Sequence, residues 1–192
     1  MKSIIAQTAS VMAIAVLSAC GGGSTGGGTL SYAQQLSGLN ARLVDNRLTP
    51  ERDLPTGSAT YRGIANFNLS NGSDADFNAA ASGNLAALPA YLGALRLDVN
   101  FANDTFSGNI TNFTNYAEQR KPGQITISNG VLTGRNAAGI GDGLTAVATG
   151  AIDGRALTMD VRGNFTGTRG QGAALYFDDR TSLAGGVGLA AR

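Results

Sequence analysis

No histidine and no tryptophan occur in the 192 residues of this chain, and cysteine occurs once, at Cys20. Losing histidine removes the usual proton shuttle and the commonest metal ligand. A lone cysteine can build neither an intrachain disulfide nor a thiolate metal site. Most familiar catalytic constellations are excluded with them, and no cofactor is implied. Charge is sparse as well: Asp, Glu, Lys and Arg make up 14% of the chain, and once Lys2 is set aside the two signs balance. No chain-wide field draws in nucleic acid or an anionic membrane surface, so nucleic acid is not an expected partner.

What is present begins with an address. Lys2 is followed by an apolar run (Ile4, Ile5, Val11, Met12, Ile14, Val16), by Leu17-Ser18-Ala19-Cys20, and by the glycine-rich stretch Gly21 to Gly28. A positive start, an apolar core of about 7–15 residues and small residues before a cut make a secretory signal, too short to span a bilayer. The Leu-Ser-Ala-Cys run closely resembles the bacterial lipobox, which implies a thiol that is diacylated before cleavage. Residues 1–19 are then a signal peptide, Cys20 is the lipidation site and membrane anchor, and 20–29 form a tether whose composition predicts random-coil dimensions. Two acyl chains, at about 0.8 kcal/mol per buried methylene, anchor stably where one is marginal. Gly21 stands where an aspartate often marks inner-membrane retention, so an outer-membrane lipoprotein is expected, with the surface or periplasmic face left open.

From Leu30 to Leu48 the residues Leu30, Ala33, Leu36, Asn40 and Leu43, with Leu39 and Val44 alongside, recur at spacings of three and four. This predicts a short amphipathic helix, ended by Thr49-Pro50. Packing on its own domain is the plainer expectation; docking on a partner is the other. Residues 30–53 are thus a helix and linker, and 54–192 one domain. In Gly57 to Leu69, Ala59, Tyr61, Gly63, Ala65, Phe67 and Leu69 share a face and only Ile64 breaks the alternation, which is a strand with one buried side. Asn71 to Asp74 closes it, and Ala79 to Tyr91, interrupted by Pro89, is expected to be irregular.

Later hairpins can be set by arithmetic. A two-residue loop at Asn103-Asp104 pairs Phe101 with Phe106, Val99 with Gly108 and Leu97 with Ile110. Asn129-Gly130 reads as a type I′ turn that sets Ile127 against Leu132 and Ile125 against Gly134. Asp153-Gly154 places Leu157, Met159 and Val161 opposite Gly150, Ala148 and Ala146, large against small, as inside a narrow filled barrel. Strands at Gly172 to Asp178 and Ser182 to Ala191 follow, the latter with Leu183, Gly185, Val187, Leu189 and Ala191 on one face. The fold class expected is all-β: a small antiparallel eight-stranded up-and-down β-barrel, bent at in-strand glycines such as Gly63, Gly108, Gly150 and Gly163.

At this point the chain resembles a family. Leu54-Pro55-Thr56-Gly57-Ser58-Ala59-Thr60-Tyr61-Arg62-Gly63, the stretch Val99 to Gly108, Ile127-Ser128-Asn129-Gly130-Val131-Leu132-Thr133-Gly134 and Gly163-Asn164-Phe165-Thr166-Gly167 look like the β-barrel domain of transferrin-binding-protein-B-like lipoproteins. Factor H-binding protein carries a related barrel behind a similar tether. The resemblance implies an eight-stranded barrel with a packed interior, displayed by an outer-membrane lipoprotein, in a family whose members bind proteins or take part in nutrient acquisition. It does not extend to transferrin binding. The chain has no room for the large handle domains of the two-lobed receptors, and Arg169 to Asp179 lacks the usual glutamate-containing run, so no binding residue is carried over.

Other local signals are weaker. Gly139 to Gly143 has the look of a phosphate cradle but no following Gly-Lys-Ser/Thr, and reads as a plain loop. Asp178-Asp179 with Arg180 offers too few oxygen ligands for calcium and reads as a charged turn. The longest turn-like connection gathers Phe113, Tyr116, Glu118, Arg120 and Lys121; Phe113, Tyr116, Arg120 and Lys121 make the candidate partner-contact loop, because aromatics and arginine are enriched in tight interfaces, against the ordinary-loop reading. A membrane-spanning barrel is disfavoured by the glycine and alanine on the apolar face. The leading expectation is a non-enzymatic binding module contacting a protein or nutrient-acquisition partner through its loops. The alternatives are a periplasm-facing, lipocalin-like carrier of a small ligand and, last, an enzyme using Asp98, Asp104 or Asp160.

Overall fold

The structure, a computed structural model, describes residues 30–43, 47–69, 90–133, 143–179 and 185–192. The signal segment, Cys20 and the tether, Asn71 to Asp74, 79–89, Gly139 to Asp142 and Arg180 lie outside the described residues. The helix α1 (Tyr32–Leu43) is followed by a single 3-10 turn at Glu51–Asp53 and by the strands β1 (Ser58–Asn68), β2 (Ala90–Asn100), β3 (Thr105–Asn115), β4 (Gly123–Val131), β5 (Leu144–Ile152), β6 (Arg155–Thr166), β7 (Gly172–Asp178) and β8 (Gly185–Ala191). Each strand pairs with the next, and β1 pairs antiparallel with β8, closing an eight-stranded up-and-down barrel. Closure leaves no sheet edge to pair with other chains.

The inward residues form one continuous cluster. Two aromatic groups occupy its ends: Tyr61 and Phe101 against Phe165 at one, Phe67 against Phe113 and Phe177 at the other. Leu97, Ile110, Ile125 and Met159 fill the waist. Outward positions carry Arg62, Arg96, Asp98, Asp160, Arg162 and Asp178, the reverse of a lipid-facing wall. In β1 the predicted inward face is observed, with Ala65 and Phe67 fully buried. Ile64 points outward and is buried there, where α1 lies across β1, β2 and β8. The break in alternation therefore marks the seat of the helix.

Across β5–β6 the observed register is Gly150 with Leu157, Ala148 with Met159 and Ala146 with Val161, as the Asp153-Gly154 turn requires. Positive φ at both Asp153 and Gly154 fits a type I′ turn. Other expectations are corrected. Val99 pairs with Phe106, Leu97 with Gly108 and Leu95 with Ile110, a register two residues from the predicted one. Asn100 Oδ1 accepts from the amides of Ala102 and Asn103, so the loop runs from Phe101 to Asp104, and an even shift leaves every face unchanged. Asn129-Gly130 is no turn: β4 runs through it, with an extra residue opposite both β3 and β5. The positive φ of Asn129 is used by a β-bulge, and Gly130 is required because the Phe106 carbonyl and ring close over it.

Strand β2 starts at Ala90, so Ala90 and Tyr91 are not irregular. Helix α1 is shorter than predicted; Leu43 is buried while Ala33 and Asn40 are exposed. In β8 the face with Gly185, Val187, Leu189 and Ala191 is the outer one. Gly186 and Gly188 turn inward; a Cβ on Gly186 would meet the Asn66 carbonyl and the Phe67 ring, and one on Gly188 would press on Leu95 and Phe177.

Candidate functional site

In an up-and-down barrel the connections alternate between two ends. One end collects the segment before β1, the β2–β3, β4–β5 and β6–β7 connections and the residue after β8; the other collects the remaining connections.

The loop nominated by sequence, between β3 and β4, lies at the second end. Phe113 does not belong to it. Asn112 has positive φ, and the β2–β3 register slips between Leu92 and Ala94. This bulge reverses the parity of β3 and turns Phe113 inward, 1% exposed, its ring lying over Gly93. Tyr116 is half-buried and Arg120 exposed. The loop is braced from within: Asn115 Oδ1 accepts from the amides of Ala117 and Gln119, and its Nδ2 donates to Gln119 Oε1. Lys121 is tied to Asp153 at 3.1 Å, and the same carboxylate accepts from the Tyr91 hydroxyl at 3.2 Å. Burial and that carboxylate both push the Tyr91 phenol up. The structure thus gathers Tyr116, Arg120 and Lys121 on one internally hydrogen-bonded loop, with Arg120 exposed and the other two partly buried.

At the first end the chain builds a concavity of about 1110 Å3, whose lining includes Arg47, Arg52, Arg169 and Arg192 with Thr49, Thr168 and Asp53. Its framework is fixed. Residues 47–49 lie along the end of β6, with the Thr49 amide donating to Phe165 O and the Gly167 amide to Arg47 O, each at 2.9 Å. Buried Thr49 Oγ1 donates to Gly167 O at 2.6 Å and accepts from the Gly170 amide at 3.2 Å. Tyr61, inside the barrel, donates its hydroxyl to Gly170 O at 2.7 Å. Burial pushes that phenol up to about 12, against the pull of nearby Arg192. Arg192 Nη2 in turn donates to Arg169 O at 2.6 Å.

Neither a family model nor a curated protein matches this chain. Among solved structures it is similar to transferrin binding protein B. A double mutant of that protein from Haemophilus parasuis Hp5 is 15% identical at a TM-score of 0.48, covering 76% of this chain and 28% of that one. Intact Ap-TbpB, with N and C lobes, is 16% identical at 0.46 over the same shares. The chain spans little more than a quarter of either. The family resemblance accordingly rests on the sequence motifs.

Sequence reading missed the arginine-lined end. Its residues are separated by up to most of the chain and carry no spacing signal. Strand parity is the signal that could have found them, since an even number of strands returns the chain to the end it started from. The carboxylates weighed for catalysis are not brought together there. Asp98 stands on the outer wall, bonded to Arg96 at 2.9 Å and to the Thr60 hydroxyl at 2.6 Å. Those bonds hold its carboxyl below the usual range. Asp104 lies in the β2–β3 loop and Asp160 on the outer wall of β6; Asp178, the calcium candidate, pairs with Arg162 at 3.4 Å on the β6–β7 wall.

Proposed function

We propose that this protein is an outer-membrane lipoprotein, anchored through Cys20, that displays a non-enzymatic β-barrel and contacts a protein partner through the loops at its ends. The observation that carries the reading is the filled interior. Tyr61, Phe67, Ile110, Ile125 and Ile152 are fully buried in one continuous cluster, so side chains stand where a carrier would hold its ligand, and recognition falls to the outside. Tyr116, Arg120 and Lys121 belong to a loop rigid enough to present a contact surface without a large ordering cost.

The test is protease accessibility on intact cells, with Cys20→Ala as control. Expected are digestion of the native protein on intact cells and release of the Cys20→Ala protein from the membrane. Protection until the outer membrane is opened overturns surface display, and membrane retention of Cys20→Ala overturns the anchor.

A further inference from the structure

We propose that the arginine-lined concavity at the first end of the barrel is a binding site for a ligand carrying two or more phosphate groups. The inference goes beyond the display reading and does not depend on the anchor. Four arginines, Arg47, Arg52, Arg169 and Arg192, line the space, and one acidic residue, Asp53, lines it with them. Basic side chains outnumber acidic ones in the lining by three.

The contrast with the rest of the barrel is informative. On the walls, Arg96 meets Asp98 at 2.9 Å, Lys121 meets Asp153 at 3.1 Å and Arg162 meets Asp178 at 3.4 Å. In the concavity Arg52 stands 3.8 Å from Asp53, with the Arg52 side chain 84% exposed. Gathering like charges in one place costs free energy that a polyanion would return. Guanidinium is also the side chain whose planar fork takes phosphate bidentately.

The site is built as well as charged. Arg47 is held by the short ladder to β6, and Arg169 by the Thr49 and Tyr61 hydrogen bonds to its turn and by the Arg192 bond to its own carbonyl. A space of about 1110 Å3 exceeds a single oxyanion and suits a small molecule with several groups. Phosphate, with up to two charges on one group, matches the surplus better than a carboxylate does.

The mature chain carrying Cys20→Ala is titrated with inorganic pyrophosphate by calorimetry at low ionic strength. Saturable one-to-one binding is expected, weakened about tenfold or more by Arg47→Ala combined with Arg52→Ala and unchanged by Arg162→Ala on the outer wall. Unaltered thermal midpoints show that the variants remain folded. The source of the phosphate is separated by flotation with vesicles containing cardiolipin, whose headgroup carries two phosphates, against phosphatidylcholine vesicles. Selective flotation that pyrophosphate competes away assigns a lipid headgroup; pyrophosphate binding without flotation assigns a soluble ligand. No saturable heat up to about 10 mM, or equal weakening by Arg162→Ala, overturns the site.

Discussion

The hydroxyl of Tyr61 lies in the barrel interior and reaches Gly170 O at 2.7 Å, joining the core to the turn that carries Arg169. Its pKa is raised from 10 to about 12, chiefly by burial. Below pH 10 both folded and unfolded states keep the proton, and the stabilisation is fully present. Between pH 10 and about 12 the unfolded phenol ionises while the folded one does not, so stability falls as pH rises. Tyr61→Phe should cost about 1–2 kcal/mol at neutral pH, because Gly170 O loses a buried donor. The same variant should show a shallower loss of stability on the alkaline side. Urea unfolding at neutral pH and across the alkaline range checks both. An undiminished alkaline slope would assign the titration to another group, such as Tyr91, whose phenol is also raised.

At the scale of elements, the seat of α1 rests on a missing side chain. The Leu43 methyl groups occupy the space that a Cβ on Gly172 would need, and Leu43 is 6% exposed. Gly172→Val should therefore lift the C-terminal turn of α1 without adding volume to the barrel interior, since Gly172 faces outward. Faster amide hydrogen exchange across residues 32–43, with β4 and β5 unchanged, is the expected result; unchanged exchange in α1 would show that the helix docks by other contacts. Leu43→Ala should cost about 2 kcal/mol, the low end for a buried leucine. How far such elements could be read in sequence follows from what each signal measures. The β5–β6 hairpin was legible because Asp153-Gly154 fixes both a turn type and a register. Asn129-Gly130 carries the same preference for positive φ, but a bulge satisfies that preference as well as a turn does, and local sequence does not choose between them. Alternation cannot detect the two-residue shift at β2–β3, because even shifts preserve faces. It fails outright at Asn112, where one extra residue turns Phe113 from a candidate contact into core. The arginine cluster was illegible for another reason: closure of the barrel, and no pattern along the chain, brings Arg47 and Arg192 to the lining of one concavity.

For the whole molecule, the distinction that matters is a filled barrel against a hollow one. In β5 the inward residues Ala146, Ala148 and Gly150 are small, and the residues opposite them on β6, Val161, Met159 and Leu157, are larger. In a filled interior this is complementarity. Ala148→Leu should then overpack and cost about 1–3 kcal/mol, and Met159→Ala should leave a cavity and cost about 2–5 kcal/mol. Combined, the two exchange large for small across one rung, and the double variant should be more stable than the sum of the single losses predicts, by about 1 kcal/mol or more. A hollow barrel would give a different pattern: Ala148→Leu would project into open space at little cost, and the two substitutions would add. Denaturant unfolding of the four proteins decides between these. Coupling of the expected sign would leave the barrel wall as scaffold and place recognition at its ends, where Arg120 and Lys121 stand on one side and Arg47, Arg52, Arg169 and Arg192 on the other. Additivity would reopen the carrier reading.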